Sequence, residues 1–148
     1  LLVIQTADCQ AVLLFDPRQR VIANVHAGWR GSVANVVGAT VRAMAGRFGC
    51  DPAHILAAVG PSLGPCCGEF VNYQLELPQR FWHYRRESGN FDFWAISVDQ
   101  LKAAGVRDDH IEVSRICTRC RTDLCFSYRA ERRTGRMAAV IGMAGPEL

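Results

Sequence analysis

No apolar run in this chain approaches the ~18 residues a membrane-spanning helix requires, and no basic-then-apolar-then-small segment marks a secretory leader. Both absences predict a cytoplasmic protein with no membrane partner. Charge of one sign is scarce: 17 basic residues against 14 acidic ones leave a net +3. The densest basic patch, Arg129 to Arg136, also contains Glu131. A nucleic-acid-binding surface carries a stronger basic footprint, so no nucleic acid is expected, and the excess reads as solubility with room for one anion site. An even cysteine framework is missing too. The seven cysteines are scattered, and adjacent Cys66 and Cys67 cannot bond each other comfortably. Reduced thiols in a cytosolic protein are expected. The chain has no initiating Met, and Leu1-Leu-Val-Ile4 already reads as the middle of a strand. An N-terminal part of a longer protein is therefore expected upstream. Internal repeats, linkers and low-complexity tracts are absent.

What is present is ordinary for a globular protein: 49% hydrophobic and 21% charged residues exclude disordered and fibrous classes. The length suffices for one domain over 1–148 with a core of its own. Leu1–Gln5, Ala11–Asp16 and Val21–His26 read as strands, the last two joined by a turn at Asp16-Pro17-Arg18. Val33, Val36, Val37, Thr40, Val41, Met44 and Phe48 recur at three- and four-residue steps, the pattern of an amphipathic helix. Ser32 is its expected N-cap and Gly49 its stop. Ile55–Val59 reads as a strand, Gly60 to Gly68 as a rigid Gly-Pro loop, and Ile111–Cys117 and Arg136–Met143 as further strands. Ser97 with Gln100 forms a capping-box pattern ahead of Val98–Ala104. This order predicts an α/β fold, layered mixed β-sheets with packed helices.

Three segments carry chemistry: Thr6-Ala-Asp-Cys9, His26-Ala-Gly-Trp-Arg-Gly31, and Gly60-Pro-Ser-Leu-Gly-Pro-Cys-Cys67. If their strands are neighbours, Cys9 and His26 meet at one sheet edge. That pair supports either a zinc site with an open position or a cysteine nucleophile with a histidine base. Asp8 could orient His26 or act as acid or base. Arg30 offers a planar charged fork, and the amides of Gly31, Ser32 and Val33 would lie at the start of the long helix, where an anion such as phosphate is favoured. Each residue also has a plain structural role open to it: a buried thiol packs as a small hydrophobe, and an exposed arginine is commonly solvated or ion-paired. Cys117-Thr-Arg-Cys120 is a single C-x-x-C, short of the four ligands a structural zinc needs. Cys66 and Cys67 could complete it in space, although nothing in the sequence requires it, so the pair reads as structural or incidental.

Taken in order, these segments, together with Phe15-Asp-Pro17, Glu69, Cys117-Thr118, Phe126-Ser-Tyr-Arg129 and Gly135-Arg-Met-Ala-Ala-Val-Ile-Gly142, resemble the multicopper polyphenol oxidase (laccase-domain) family from end to end. That family is also called peptidoglycan editing factor and described as purine nucleoside phosphorylase. The resemblance implies a zinc-type site of two histidines and a cysteine, the cysteine matching Cys9 and the second histidine His26, with the first histidine upstream of this chain. It also implies phosphorolysis of adenosine, inosine, guanosine and methylthioadenosine, with adenosine deamination. Gly68, Cys125 and Ser97 depart from the family pattern, and none of them touches Cys9, His26 or Arg30.

The laccase name itself fits poorly. Multicopper oxidation needs many histidines, and this chain has four, His26, His54, His83 and His110, far apart in sequence. Zinc is therefore expected ahead of copper. The competing readings are a metal-free cysteine hydrolase or amidase acting on peptidoglycan precursors, and a protein that binds a nucleotide or a partner without turnover.

Overall fold

The computed structural model describes residues 1–145. Its main sheet is built on β2 (Gln10–Asp16), which pairs antiparallel with β3 (Val21–Ala27) on one side and with β4 (Leu56–Val59) on the other. β5 (Ile111–Val113) continues the sheet parallel to β4, giving the order β3-β2-β4-β5. A second, two-stranded antiparallel sheet joins β1 (Leu2–Thr6) to β6 (Met137–Ile141) across the length of the chain. Asn24 of β3 stitches the two sheets, its side-chain amide donating to the carbonyls of Leu2 and Ala139. The layered mixed sheets are those the sequence predicts, with β5 and β6 shorter than expected.

Because β2 is covered on both edges and one face, its alternate residues Val12 and Leu14 are fully buried. They meet Val25 of β3, Ala57 and Val59 of β4, and Val37, Val41 and Met44 of the helix α2 (Val36–Phe48). Each such aliphatic side chain contributes about 1.5–3 kcal/mol by leaving water. The helix α4 (Phe93–Ala103) packs on α2 and brings Leu101 into the same core. A second, aromatic cluster gathers Leu77, Phe81, Phe91, Phe93 and Ile96. Leu77 and Phe81 come from the stretch that forms the short α3 (Tyr73–Glu76) and a 3-10 turn over Gln79–Tyr84, and the other three are Phe91 and, from the first turn of α4, Phe93 and Ile96.

The helix expected to run unbroken from Ser32 is two helices. A five-residue α1 (Trp29–Val33) ends before Asn35, and α2 begins after it. Asn35 adopts the left-handed conformation (φ 54°) and its side chain accepts from the Gly38 amide, making Asn35 the N-cap. Asparagine tolerates that conformation better than most residues. A Cβ on Gly38 would lie 2.6 Å from the Asn35 side-chain oxygen. The carbonyls freed at the break are not wasted: Gln100 donates to Ser32 O and Arg80 to Val33 O. Ser32 is thus no cap. It is buried inside α1, and both its amide and its hydroxyl donate to Gly28 O.

The Ser97 capping box is overturned likewise. α4 starts a turn earlier with Asp92 as N-cap, accepting from the Ala95 amide at 3.0 Å. Ser97 lies buried in mid-helix and donates to the side-chain oxygen of Gln10, whose amide donates to Phe93 O at 2.8 Å. Asp92 wins because it precedes the apolar run Phe93-Trp-Ala-Ile96, whose Phe93 and Ile96 must face the aromatic cluster.

Candidate functional site

The hairpin register places the site. Ala11 lies opposite His26 and Gln10 opposite Ala27, so Cys9, one residue before β2, faces Gly28, one residue after β3. Gly28 has no side chain to intervene: a Cβ there would stand 3.0 Å from Cys9 Sγ. Cys9, His26 and Asp8 line one cavity of about 410 Å³. Neighbouring strands thus place Cys9 and His26 on the lining of one cavity.

Asp8 sits in the left-handed region, φ 81°, and holds the wall together. Its backbone carbonyl accepts from the Leu63 amide at 2.9 Å. One carboxylate oxygen accepts from the buried Thr118 hydroxyl and the other from the Arg129 amide, both at 2.6 Å. A single residue thus ties the Gly-Pro loop and the 117–129 loop to the strand end that carries Cys9. Partial burial pushes the Cys9 thiol above its ordinary range, the neighbouring Asp8 carboxylate adds to that, and Arg136 opposes both.

The rest of the cavity is aromatic and cationic. Phe70 packs edge-on to Trp29 at 5.9 Å between centroids and against Phe93 at 5.2 Å. The guanidinium of Arg129 lies 5.9 Å over Phe70, and Arg136 completes the lining with Tyr128. Arg30 is exposed, outside that lining, and stacks on Trp29 at 4.1 Å. Gly31 faces Val36 and the His26 carbonyl rather than the cavity. Of the expected amide cradle at Gly31, Ser32 and Val33, the Ser32 amide is bonded to Gly28 O within α1. The cations that do line the cavity, Arg129 and Arg136, lie more than a hundred residues from Cys9. Their signal in the sequence was the basic patch itself, which looks weak until β6 pairs with β1 and carries its N-terminal end to the site.

Cys9 and His26 supply one sulfur and one nitrogen donor, a set that borderline-soft zinc accepts. Both oxygens of Asp8 accept hydrogen bonds, from the Thr118 hydroxyl and the Arg129 amide. The Cys9–His26 pair fits two positions of a zinc-type site. The other histidines do not gather there: His83 stacks on Tyr84 at 3.9 Å and His54 lies 3.7 Å from Asp51. Elsewhere, the structure joins the Gly-Pro loop to the C-x-x-C. The sulfurs of Cys66, Cys67, Cys117 and Cys120 all lie within 4.8 Å of one another.

The α/β fold thus carries, at the end of a hairpin, one cavity that sets a thiol and an imidazole beside two arginines and an aromatic wall. The chain belongs to the multi-copper polyphenol oxidoreductase laccase family, whose sequence model matches residues 1–144. It is 36% identical over 152 residues to the purine nucleoside phosphorylase YlmD of Geobacillus stearothermophilus, covering 96% of this chain and 56% of that protein. It is 40% identical to a purine nucleoside phosphorylase of Streptomyces coelicolor, covering 95% of this chain and 58% of that one. Among solved structures, the hypothetical protein YfiH of Bacillus licheniformis superposes with a TM-score of 0.83 at 32% identity, covering 92% of this chain and 55% of that one. The chain thus spans little more than half the length of the relatives it matches. No helix among the described residues is long and apolar enough to cross a membrane.

Proposed function

We propose that the whole protein is a purine nucleoside phosphorylase and that the Cys9–His26 cavity is part of its active site. One observation carries this reading: a single cavity of about 410 Å³ unites a metal-type donor pair, two arginines and an aromatic wall. A flat purine suits the wall formed by Phe70, Phe93 and Trp29. Phosphate is assigned to Arg129 and Arg136, the guanidinium forks inside the cavity. Arg30 braces Trp29 from outside, and Ser32, next to Gly31, ties the chain after β3 back to Gly28 O. A phosphate oxygen forms the new bond to the ribose anomeric carbon, the bond from that carbon to the purine nitrogen breaks, and the base leaves with the electron pair and takes up a proton. Zinc held by Cys9 and His26 would supply Lewis acidity and lower the pKa of a water. Asp8 positions Cys9 and the two loops, its oxygens being engaged.

The names of the relatives support nucleosides and phosphate as the substrates. Adenosine, inosine, guanosine and methylthioadenosine share the purine and ribose that the cavity would grip. Adenosine deamination in the same cavity replaces the ring amino group with water and releases ammonia and inosine. The names of the relatives favour phosphorolysis over the metal-free cysteine hydrolase, which would use Cys9 as nucleophile and His26 as base.

The test is to incubate the full-length protein with adenosine, with and without phosphate, before and after chelation. Phosphate-dependent adenine release, sensitive to chelation and lost in Cys9→Ala, is expected, with metal-dependent inosine alongside. Activity that survives chelation but is killed by thiol alkylation would transfer the site to the hydrolase reading.

A further inference from the structure

Four of the seven cysteines come together far from one another in sequence. Cys66 and Cys67 close the Gly-Pro loop, while Cys117 and Cys120 open the 117–129 loop, about fifty residues on. Backbone pairing aligns the two loops. Ser62 bridges in parallel to Cys117, with Ser62 N donating to Ile116 O and Thr118 N to Ser62 O. Gly64 permits the closest approach: a Cβ there would lie 3.0 Å from Cys117 Cβ and 2.8 Å from the Trp94 ring. The Gly64 amide donates to Cys117 Sγ at 3.3 Å, the N–H···S contact that stabilises a thiolate.

The sulfur geometry selects among three uses of such a cluster. Cys120 Sγ is 3.5 Å from Cys66 Sγ and also 3.5 Å from Cys67 Sγ. A disulfide, with its bond of about 2.05 Å, joins one pair and abandons the equidistant partner. An iron–sulfur cluster is held by four thiolates around a body of several atoms, and needs its ligands spread wider than the 4.8 Å that bounds all four sulfurs. A single tetrahedral zinc with bonds of ~2.3 Å sets its sulfurs roughly 3.8 Å apart, between the two 3.5 Å separations and the 4.8 Å that bounds all four.

We propose that Cys66, Cys67, Cys117 and Cys120 bind one zinc ion as a closed structural site, separate from the Cys9–His26 cavity. Cys117 is buried and Cys67 half-buried, while Cys66 and Cys120 remain exposed, so the ion loads from the surface. Its role follows from what the two loops hold. Leu63 and Thr118, three residues or fewer from a ligand, are two of the three anchors of Asp8. The zinc clamps the loops that clamp Asp8, and through Asp8 it fixes the cavity wall next to Cys9. The site stands whatever reaction that cavity performs.

The test uses the full-length protein, freed of loosely held metal, with zinc counted by mass spectrometry and the metal then exchanged for Co2+. Zinc retained in Cys9→Ala is expected, with the intense sulfur-to-cobalt charge-transfer and tetrahedral d–d absorption of four thiolates. Cys120→Ser should lose both, whereas Cys125→Ser, at a buried cysteine outside the cluster, should keep them. Chelation should lower Tm and expose the 60–69 and 117–129 loops to protease. A Cys9→Ala protein without zinc, a cobalt spectrum lacking the tetrathiolate bands, or a Cys120 disulfide in the protein as isolated would each overturn the proposal. The wild-type cobalt spectrum decides it even where Cys120→Ser does not fold.

Discussion

Asp8 offers a substitution pair that separates positioning from proton transfer. Its carboxylate accepts from the Thr118 hydroxyl and the Arg129 amide, and Thr118 is fully buried. Asp8→Ala removes both acceptors and strands that hydroxyl, at about 1–3 kcal/mol for the buried group alone. The bond to Arg129 reaches the surface and adds less. Alanine at φ 81° loses roughly another 1 kcal/mol, since aspartate tolerates the left-handed region better. The sum is about 2–4 kcal/mol, or roughly 10 °C in Tm for a protein of this size. Asp8→Asn behaves differently. Its amide oxygen accepts from Arg129 while its NH2 donates to Thr118, whose hydroxyl rotates to accept, and asparagine suits the backbone. That variant should fall by less than about 1.5 kcal/mol and keep most of its turnover. Calorimetric melts and nucleoside turnover on the full-length protein check both. Equal destabilisation by Ala and Asn would refute the hydrogen-bond argument. Lost turnover in Asp8→Asn with an unchanged melt would return Asp8 to acid or base duty.

Gly28→Ala should leave Tm nearly unchanged, because φ −80° and ψ 175° suit alanine. Its methyl, 3.0 Å from Cys9 Sγ, should displace the thiol and lower kcat/KM roughly tenfold; unaltered kinetics would show that Cys9 needs no fixed position. Asp16 supplies the acid limb of stability. Burial pushes its carboxyl up, but the amides of Gln19 and Arg18, with the Cys50 thiol, more than offset that and hold it below the ordinary carboxylate range. A native value below the unfolded one of ~3.9 stabilises the fold fully above that pH and is lost as pH falls through the native value. Asp16→Asn should therefore flatten the fall in Tm below about pH 4, as melts from pH 2 to 6 would register; a variant with the wild-type acid limb would sink this account.

The loops give the site its logic. Strands β2 and β3 present Cys9 and His26, but the wall is made by segments remote in the chain, and Asp8 is the point where those segments meet. Stability at the 60–69 and 117–129 loops is accordingly coupled to the geometry at Cys9 through hydrogen bonds, which hold a specific separation where apolar contact alone would allow slippage.

Local pattern was enough for much of this. The three-and-four spacing of Val37, Val41 and Met44 marks α2, because one helical face must be apolar to cover a sheet. Asp16-Pro17 marks the β2–β3 turn, and that turn makes Cys9 and His26 neighbours. The Gly28 and Gly64 positions were visible as glycines, though not the sulfurs they make room for. Tertiary structure decided the rest. Asn35 split the helix because Gln100 and Arg80, from elsewhere in the chain, satisfy the carbonyls the break exposes. Asp92 displaced Ser97 as cap because Ser97 was needed by Gln10. Arg136 entered the cavity through the pairing of β6 with β1 and Arg129 through its amide bond to Asp8, and Cys66 and Cys67 met Cys117 and Cys120 only through the alignment of two loops. Periodicity and turn chemistry act over a few residues and can be read from the sequence. Contacts across fifty or a hundred residues depend on which surfaces finally pack, and no local spacing encodes that.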